Sequence, residues 1–172
     1  MRVNPLRSGV LLAAVSAMIV VGSVATTVAQ EPRQMISVDP HTLKFDRVPG
    51  LPSCAVAAPL RGDPSKEASV LLIKSTAGCR VPWHWHTANE DLLIVSGRGQ
   101  LDMKDGKSLV LEPGAYASLP SHHLHQASFS TNAMFFNSAD GPFDIHYVDA
   151  SGNDISAEQA LAKPRTAKRR HK

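Results

Sequence analysis

Short β-prone runs separated by turn residues are the feature that most constrains what this chain can fold into. Helical periodicity is nearly absent from position 30 onward, whereas runs of three to seven residues rich in Val, Leu, Ile, Phe and Tyr recur. Strands this short and this closely spaced must pair antiparallel, because a parallel crossover needs a dozen or more residues. The pattern predicts an all-β sandwich or barrel. The runs lie at 43–45, 54–60, 69–74, 92–97, 99–103, 108–112, 115–119, 125–130, 133–138 and 143–149.

Turn residues mark where these runs end. Gly62–Ser65, Glu112–Gly114 and Gly141–Pro142 provide the dihedral angles of turns, and Asp105–Gly106 is a strong hairpin signal. Near the end of the chain, Ser156 followed three residues later by a glutamine predicts a helix of one or two turns. A length of 172 residues suits one domain with a core of its own.

The N-terminus is typical of an export signal. Arg2 and Arg7 precede an apolar run from Val10 to Val24, and small residues follow at Thr27–Ala29. We interpret residues 1–29 as a cleavable signal peptide. A membrane anchor is the alternative, because the apolar stretch approaches the length that spans a bilayer. Cleavage would leave a mature chain with no stable membrane anchor, in the periplasm or secreted from the cell.

Two cysteines, Cys54 and Cys79, are present. In an oxidising compartment they can form a single disulfide. The sequence is equally compatible with two separate buried thiols that behave as small apolar residues.

The formal net charge of +3 is unevenly distributed. Six of the 18 basic residues lie in the last ten positions, whereas residues 30–162 hold 10 basic and 15 acidic residues. No basic face for nucleic acid is therefore expected. We predict a domain over 30–150, followed over 151–172 by the short helical segment and a basic, disordered tail. A weak attraction of the tail to anionic surfaces is the alternative.

The stretch HWHTANED, residues 84–91, carries the clearest chemical signal. In a strand, His84 and His86 point to the same face and Trp85 to the other. A turn then brings Glu90 to the start of the next strand, and a third imidazole could come from the stretch Pro120–His125, which leads into a later strand. Three imidazoles and a carboxylate are suitable ligands for one divalent ion. A polar barrel lining without a metal is the alternative.

The spacing of these residues resembles the two motifs of the cupin superfamily. The first motif is matched by Gly78-x5-His84-x-His86-x3-Glu90-x6-Gly97, and the second by Gly114-x5-Pro120-x-His122-x2-His125. The 16 residues between the motifs suit small bacterial cupins of type 2. The resemblance covers about residues 35–150 and is closest to secreted single-domain cupins. The sequence departs from the second motif at two positions. His122 stands where the motif usually has glycine, and Phe129 stands where it usually has asparagine.

The resemblance implies a jelly-roll barrel, or double-stranded β-helix, with one divalent metal inside. His84, His86, Glu90 and His125 would be its ligands, and Mn, Fe or Zn, with Ni or Co also allowed, would be the metal. A homodimer is common in this family. His122 should tolerate a positive φ better than most residues other than glycine, and Phe129 should make the cavity more apolar.

Two functions remain open from the sequence. The first is a metal-dependent oxidoreductase, dioxygenase-like, that binds a small oxygen-chelating substrate, with His122 or His123 moving a proton. A decarboxylase or isomerase would use the same ligands. The second is a non-catalytic module that binds or senses a metal or small ligand. The plain alternative for His122 and His123 is that they are exposed loop residues.

Overall fold

Short antiparallel strands make up most of the folded chain. The computed structural model describes residues 35–162, and the described residues from Ser37 onward form one compact unit. The predicted signal peptide and most of the basic tail lie outside the described residues. The elements are β1 (Ala55–Arg61), β2 (Ser69–Ser75), β3 (Arg80–Trp85), β4 (Glu90–Ser96), β5 (Gly99–Met103), β6 (Ser108–Leu111), β7 (Tyr116–Leu119), β8 (His125–Phe129), β9 (Ala133–Ala139), β10 (His146–Val148), β11 (Asp154–Ile155) and α1 (Ala157–Leu161).

The strands form two antiparallel sheets whose order is not the order of the sequence. One sheet runs β1-β2-β9-β4-β7, and the other runs β11-β10-β3-β8-β5-β6. Because β9 lies between β2 and β4, and β3 lies between β8 and β10, distant parts of the chain become neighbours. The prediction of an all-β, antiparallel jelly roll is confirmed.

Buried side chains of β2 and β9 fill the space between the sheets. Every second residue of β9 is buried, and β9 pairs with β2 along its whole length, from Ala133 opposite Ser75 to Ala139 opposite Ser69. The buried apolar residues form one cluster that includes Leu71 and Leu101, each at most 1% exposed. Each such leucine contributes about 2 kcal/mol through burial. The core thus lies inside the barrel, around its cavity.

The strand predictions differ from the structure in three places. The run at 43–45 forms no strand, and only an isolated bridge joins Asp46 to Ala57 nearby. The run at 143–149 shortens to β10, because the carbonyl and the carboxylate of Asp144 bind His86 and Thr87 rather than a neighbouring strand. β11 was not predicted, since two residues give no periodic signal.

The remaining predictions for the described residues can be placed on the fold. Ser156 and Gln159 form the predicted capping box at the start of α1. Cys54 and Cys79 form a disulfide with their Cα atoms 5.5 Å apart, which links the start of β1 to the start of β3. Among residues 35–162, no helix is long and apolar enough to cross a membrane.

The disulfide should contribute measurably to stability. It closes a loop across a sequence separation of 25 residues, for which chain entropy predicts about 3 kcal/mol. We expect Cys54→Ala with Cys79→Ala to fold and to lower the free energy of unfolding by about that amount in urea titrations. Reductant should destabilise the wild type by a similar amount and leave the double variant unchanged. Equal stabilities of the oxidised wild type and the variant would contradict this.

Candidate metal centre

Three buried histidines converge because of how β3 pairs with its two neighbours. His84 lies directly opposite His125 of β8 on one side and Tyr147 of β10 on the other. His86 follows the end of β3 on the same face as His84, as alternation predicted. One ring nitrogen from each of His84, His86 and His125 lies within 4.8 Å of the others. All three residues are at most 6% exposed, so they are positioned to hold a metal ion.

Glu90 completes the cluster from the opposite sheet. It is the first residue of β4, is 6% exposed, and lies in register with Ala139 of β9 and Leu119 of β7. Its Oε2 is 3.6 Å from Nε2 of His86 and 3.5 Å from Nε2 of His125. The turn at 87–89 therefore places a carboxylate against the imidazoles, as the spacing of the motif implied.

Backbone carbonyls determine which nitrogen of each ring faces the cluster. Nδ1 of His84 lies 2.7 Å from the carbonyl of Pro82, and Nδ1 of His125 lies 2.8 Å from that of His123. Nδ1 of His86 contacts the carbonyl of Asp144. A carbonyl oxygen only accepts hydrogen bonds, so each Nδ1 donates its proton. A ring that binds a metal ion therefore offers the lone pair of Nε2, the usual arrangement of metal-binding histidines. Without a metal, a proton on Nε2 of His86 or His125 would instead face Glu90.

This donor set fits a single cation. Lone pairs of three imidazole nitrogens and a carboxylate oxygen repel one another unless a proton or a metal ion lies between them. Nε2 of His86 is buried and has no hydrogen-bond partner among the described residues. A buried nitrogen without a partner is costly, and coordination of an ion would satisfy it.

The pKa values of this cluster match the needs of a metal ligand set. Burial, with the neighbouring imidazoles of His125 and His86, holds the pKa of His84 well below its ordinary value. Burial alone would raise the pKa of Glu90, but the hydrogen bond with His125 and the charge of the surrounding imidazoles outweigh it and lower that pKa to about 2. At neutral pH His84 is thus neutral and Glu90 is ionised.

Asn137 was not predicted as part of this site. It lies on β9, is 2% exposed, and its Nδ2 donates a hydrogen bond to Oε1 of Glu90. This contact uses Oε1, so Oε2 is the oxygen of Glu90 that faces the imidazoles. The alternation of the run at 133–138 contains the signal that was missed, because it turns a polar residue inward among apolar ones.

The cluster opens onto a small apolar cavity inside the barrel. The cavity has a volume of about 50 Å³. Phe129 contributes to its wall, which confirms the expectation that this residue makes the cavity more apolar. The lining residues are Leu51, Ala55, Ile73, Ser75, Val81, His84, Glu90, Leu92, Leu101, His125, Ala127, Phe129, Phe135, Asn137 and Phe143.

His122 and His123 lie beside this cluster, but their rings do not line the cavity. His122 has φ 61°, as its place in the motif led us to expect. Its backbone N–H donates to the carbonyl of His86, and its exposed ring stacks on Trp85 at 4.5 Å. The backbone carbonyl of His123 accepts the hydrogen bond of His125. A proton-carrying role for either residue stays a prediction.

Comparison with known proteins places this geometry in a family. A family model described as "Cupin domain" (Cupin_2) matches residues 72–136, which contain all four predicted ligands. No curated protein sequence matches the chain at a significant level.

Solved structures similar to this fold share little sequence with it. The polyketide cyclase RemF from Streptomyces resistomycificus is 16% identical, with a TM-score of 0.57, and the match covers 68% of this chain and 89% of that chain. An acetylacetone dioxygenase from Acinetobacter johnsonii is 15% identical, with a TM-score of 0.56 and coverages of 74% and 86%. An RmlC-like cupin from Ralstonia eutropha is 19% identical, with a TM-score of 0.56 and coverages of 70% and 76%. These identities show the fold alone. Together, the fold and the match over residues 72–136 identify a cupin domain of type 2 in this chain.

Proposed function

We propose that this protein is a secreted metal-binding cupin that acts as a metal-dependent oxidoreductase, dioxygenase-like, on a small oxygen-chelating substrate. One observation carries the proposal. Three buried imidazoles, each oriented by a backbone carbonyl, direct their free nitrogens toward an ionised carboxylate at the edge of a cavity. His84, His86, Glu90 and His125 would hold one divalent ion.

The donor types narrow the metal without selecting one. Three nitrogens and one oxygen are fewer than the six donors that Fe(II), Mn(II), Co(II) or Ni(II) usually take, and Zn(II) accepts a lower number. When bound, such an ion would polarise a substrate oxygen, and a redox-active ion would also allow reaction with O₂. The chain itself contributes fixed ligands, a carboxylate held in place by Asn137, and apolar walls that exclude water.

The lining of the cavity restricts the charge of the substrate. With a divalent ion bound, neutral imidazoles and one ionised carboxylate leave a net charge of +1, which one anionic oxygen of the substrate would neutralise. Among the described residues that line the cavity, none is lysine or arginine. A second anionic group would therefore be buried without a partner, at a cost of several kcal/mol. Enols and similar compounds with a single acidic oxygen fit better than dicarboxylates.

A non-catalytic module that binds a metal or a small ligand is the second candidate. Glu90 is the one carboxylate among the described lining residues, and the rings of His122 and His123 lie outside the lining. Apart from the proposed ligands, the described lining thus presents no strong acid or base to move a proton. This observation favours binding without turnover.

Export is supported by two independent features. The disulfide between Cys54 and Cys79 is the kind of bond that forms and persists in an oxidising compartment. The first 29 residues have the composition of a signal peptide. We propose a periplasmic or secreted location, and a homodimer remains a prediction for the assembled protein.

Removing two of the proposed ligands should abolish metal binding. We expect His84→Ala with His86→Ala to lower the metal content, measured by elemental analysis after purification without chelator, at least tenfold. His41→Ala is the matched control, because His41 is an exposed histidine on the segment before β1 and should not change metal content. Unchanged metal content in the double variant would show that the site lies elsewhere.

The depressed pKa of Glu90 gives a test of the ligand set without metal. Its ordinary pKa is 4.5 and its value in the folded protein is about 2, so the ionised form stabilises the fold above about pH 4.5. That contribution is lost as the pH falls toward 2. We therefore expect the unfolding free energy of the metal-free wild type to fall more steeply between pH 4.5 and 2 than that of Glu90→Gln.

Glu112→Gln provides the control for this pH series. Glu112 is exposed, and its replacement should leave the slope of the wild type unchanged. Parallel curves for the wild type and Glu90→Gln would mean that the imidazoles do not favour the ionised carboxylate.

Oxygen consumption separates the two candidate functions. Protein reconstituted with Fe(II) or Mn(II) should consume O₂ with at least one compound from a panel of uncharged enols and catechols. Dicarboxylates should give at least tenfold lower rates, because the described lining residues include no lysine or arginine to pair with the second carboxylate. The double histidine variant should give none. Inactivity with every compound, together with tightly held zinc, would contradict the oxidoreductase and favour the binding module.

A further inference from the structure

Only one of the two polar side-chain atoms of Asn137 has a hydrogen-bond partner among the described residues. Its Nδ2 donates to Glu90, but its Oδ1 is buried and has no hydrogen-bond partner among the described residues. The side chain lines the same cavity as His84, Glu90 and His125. A buried carbonyl oxygen that accepts no hydrogen bond is costly and uncommon in folded proteins.

The contact with Glu90 fixes which atom of the amide is left free. The atom of Asn137 that contacts Oε1 of Glu90 is Nδ2, an NH₂ nitrogen that can only donate. The unpartnered atom is therefore the oxygen, and it can be satisfied only by a hydrogen-bond donor.

Among the described residues, the two that pair directly with Asn137 in the sheet supply no side-chain donor. Asn137 lies opposite Leu71 of β2 and Leu92 of β4, and all three residues are buried. Both leucine side chains are apolar, and the backbone N–H groups of these paired strands take part in the sheet. Because Asn137 lines the cavity and its Oδ1 is without a partner among the described residues, a donor inside the cavity can reach this oxygen.

We propose that Asn137 determines specificity by accepting a hydrogen bond from a hydroxyl group of the substrate. This assignment rests on the proposed function and names its substrate class. The substrate would be compact, would carry a hydroxyl group next to the oxygen that binds the metal, and would be uncharged elsewhere. A cavity of about 50 Å³ has room for about four water-sized groups, so the substrate would have few atoms beyond this chelating unit.

Two isomeric ketones test the requirement for a donor. 1-Hydroxy-2-butanone and methoxyacetone have the same atoms and a similar pair of oxygens, but only the first has a hydroxyl proton. Each would be titrated into cobalt-loaded full-length mature protein, with binding followed by the visible absorption of Co(II). We expect the dissociation constant of 1-hydroxy-2-butanone to be about tenfold lower, the effect of one hydrogen bond to a buried acceptor.

Asn137→Leu tests whether Asn137 is the acceptor. In this variant of similar size the preference should shrink to within about threefold, whatever happens to overall affinity. Ser75→Ala is the matched control. Ser75 also lines the cavity, and its hydroxyl has no hydrogen-bond partner among residues 35–162, but it lies four residues from Leu71 along β2. That variant should keep the tenfold preference.

Each outcome supports or overturns the assignment. A preference lost in Asn137→Leu and kept in Ser75→Ala supports it. Equal binding of the two ketones by the wild type, or a preference that Asn137→Leu retains, would show that Asn137 only positions Glu90, and the proposed function would stand. If neither ketone changes the cobalt spectrum of the wild type, both this assignment and the small oxygen-chelating substrate are wrong.

Discussion

The structure depends on the convergence of nitrogen lone pairs and one carboxylate inside an apolar barrel. His84, His86 and His125 each donate the Nδ1 proton to a backbone carbonyl, so the acceptor side of every ring faces Glu90. Such a set is unfavourable in a nonpolar interior unless a cation joins it. The fold therefore gathers hydrogen-bond acceptors at one point, where a positive charge would stabilise them.

The two sheets supply these acceptors from opposite sides. β3 supplies His84, the residue after β3 is His86, β8 supplies His125, and β4 supplies the carboxylate. Behind Glu90, the pairing of β4 with β9 brings Asn137 to its second oxygen. Paired strands hold His84, His125 and Glu90, and the outer hydrogen bonds to Pro82, His123 and Asp144 orient the rings. Such outer contacts commonly affect metal affinity 10- to 100-fold.

The sequence was sufficient to predict the parts of the site that depend on local geometry. Alternation placed His84 and His86 on one face, and a short turn placed Glu90 beside them. The contacts of Asn137 and Asp144 could not be predicted, because they depend on which distant strands become neighbours. The position of the ring of His122 on Trp85 depends on the same long-range pairing. For the same reason the sequence could not decide whether the disulfide forms, since spacing along the chain does not give the distance between Cys54 and Cys79.

The central claim is that His84, His86, Glu90 and His125 form one metal site. X-ray absorption of the cobalt-loaded wild type tests it most directly, because the scattering pattern counts imidazole rings around the ion. The account predicts three imidazole nitrogens, at least one further oxygen and no sulfur, with one imidazole fewer in His125→Ala. A spectrum with fewer than three imidazoles in the wild type, or one that His125→Ala leaves unchanged, would contradict it.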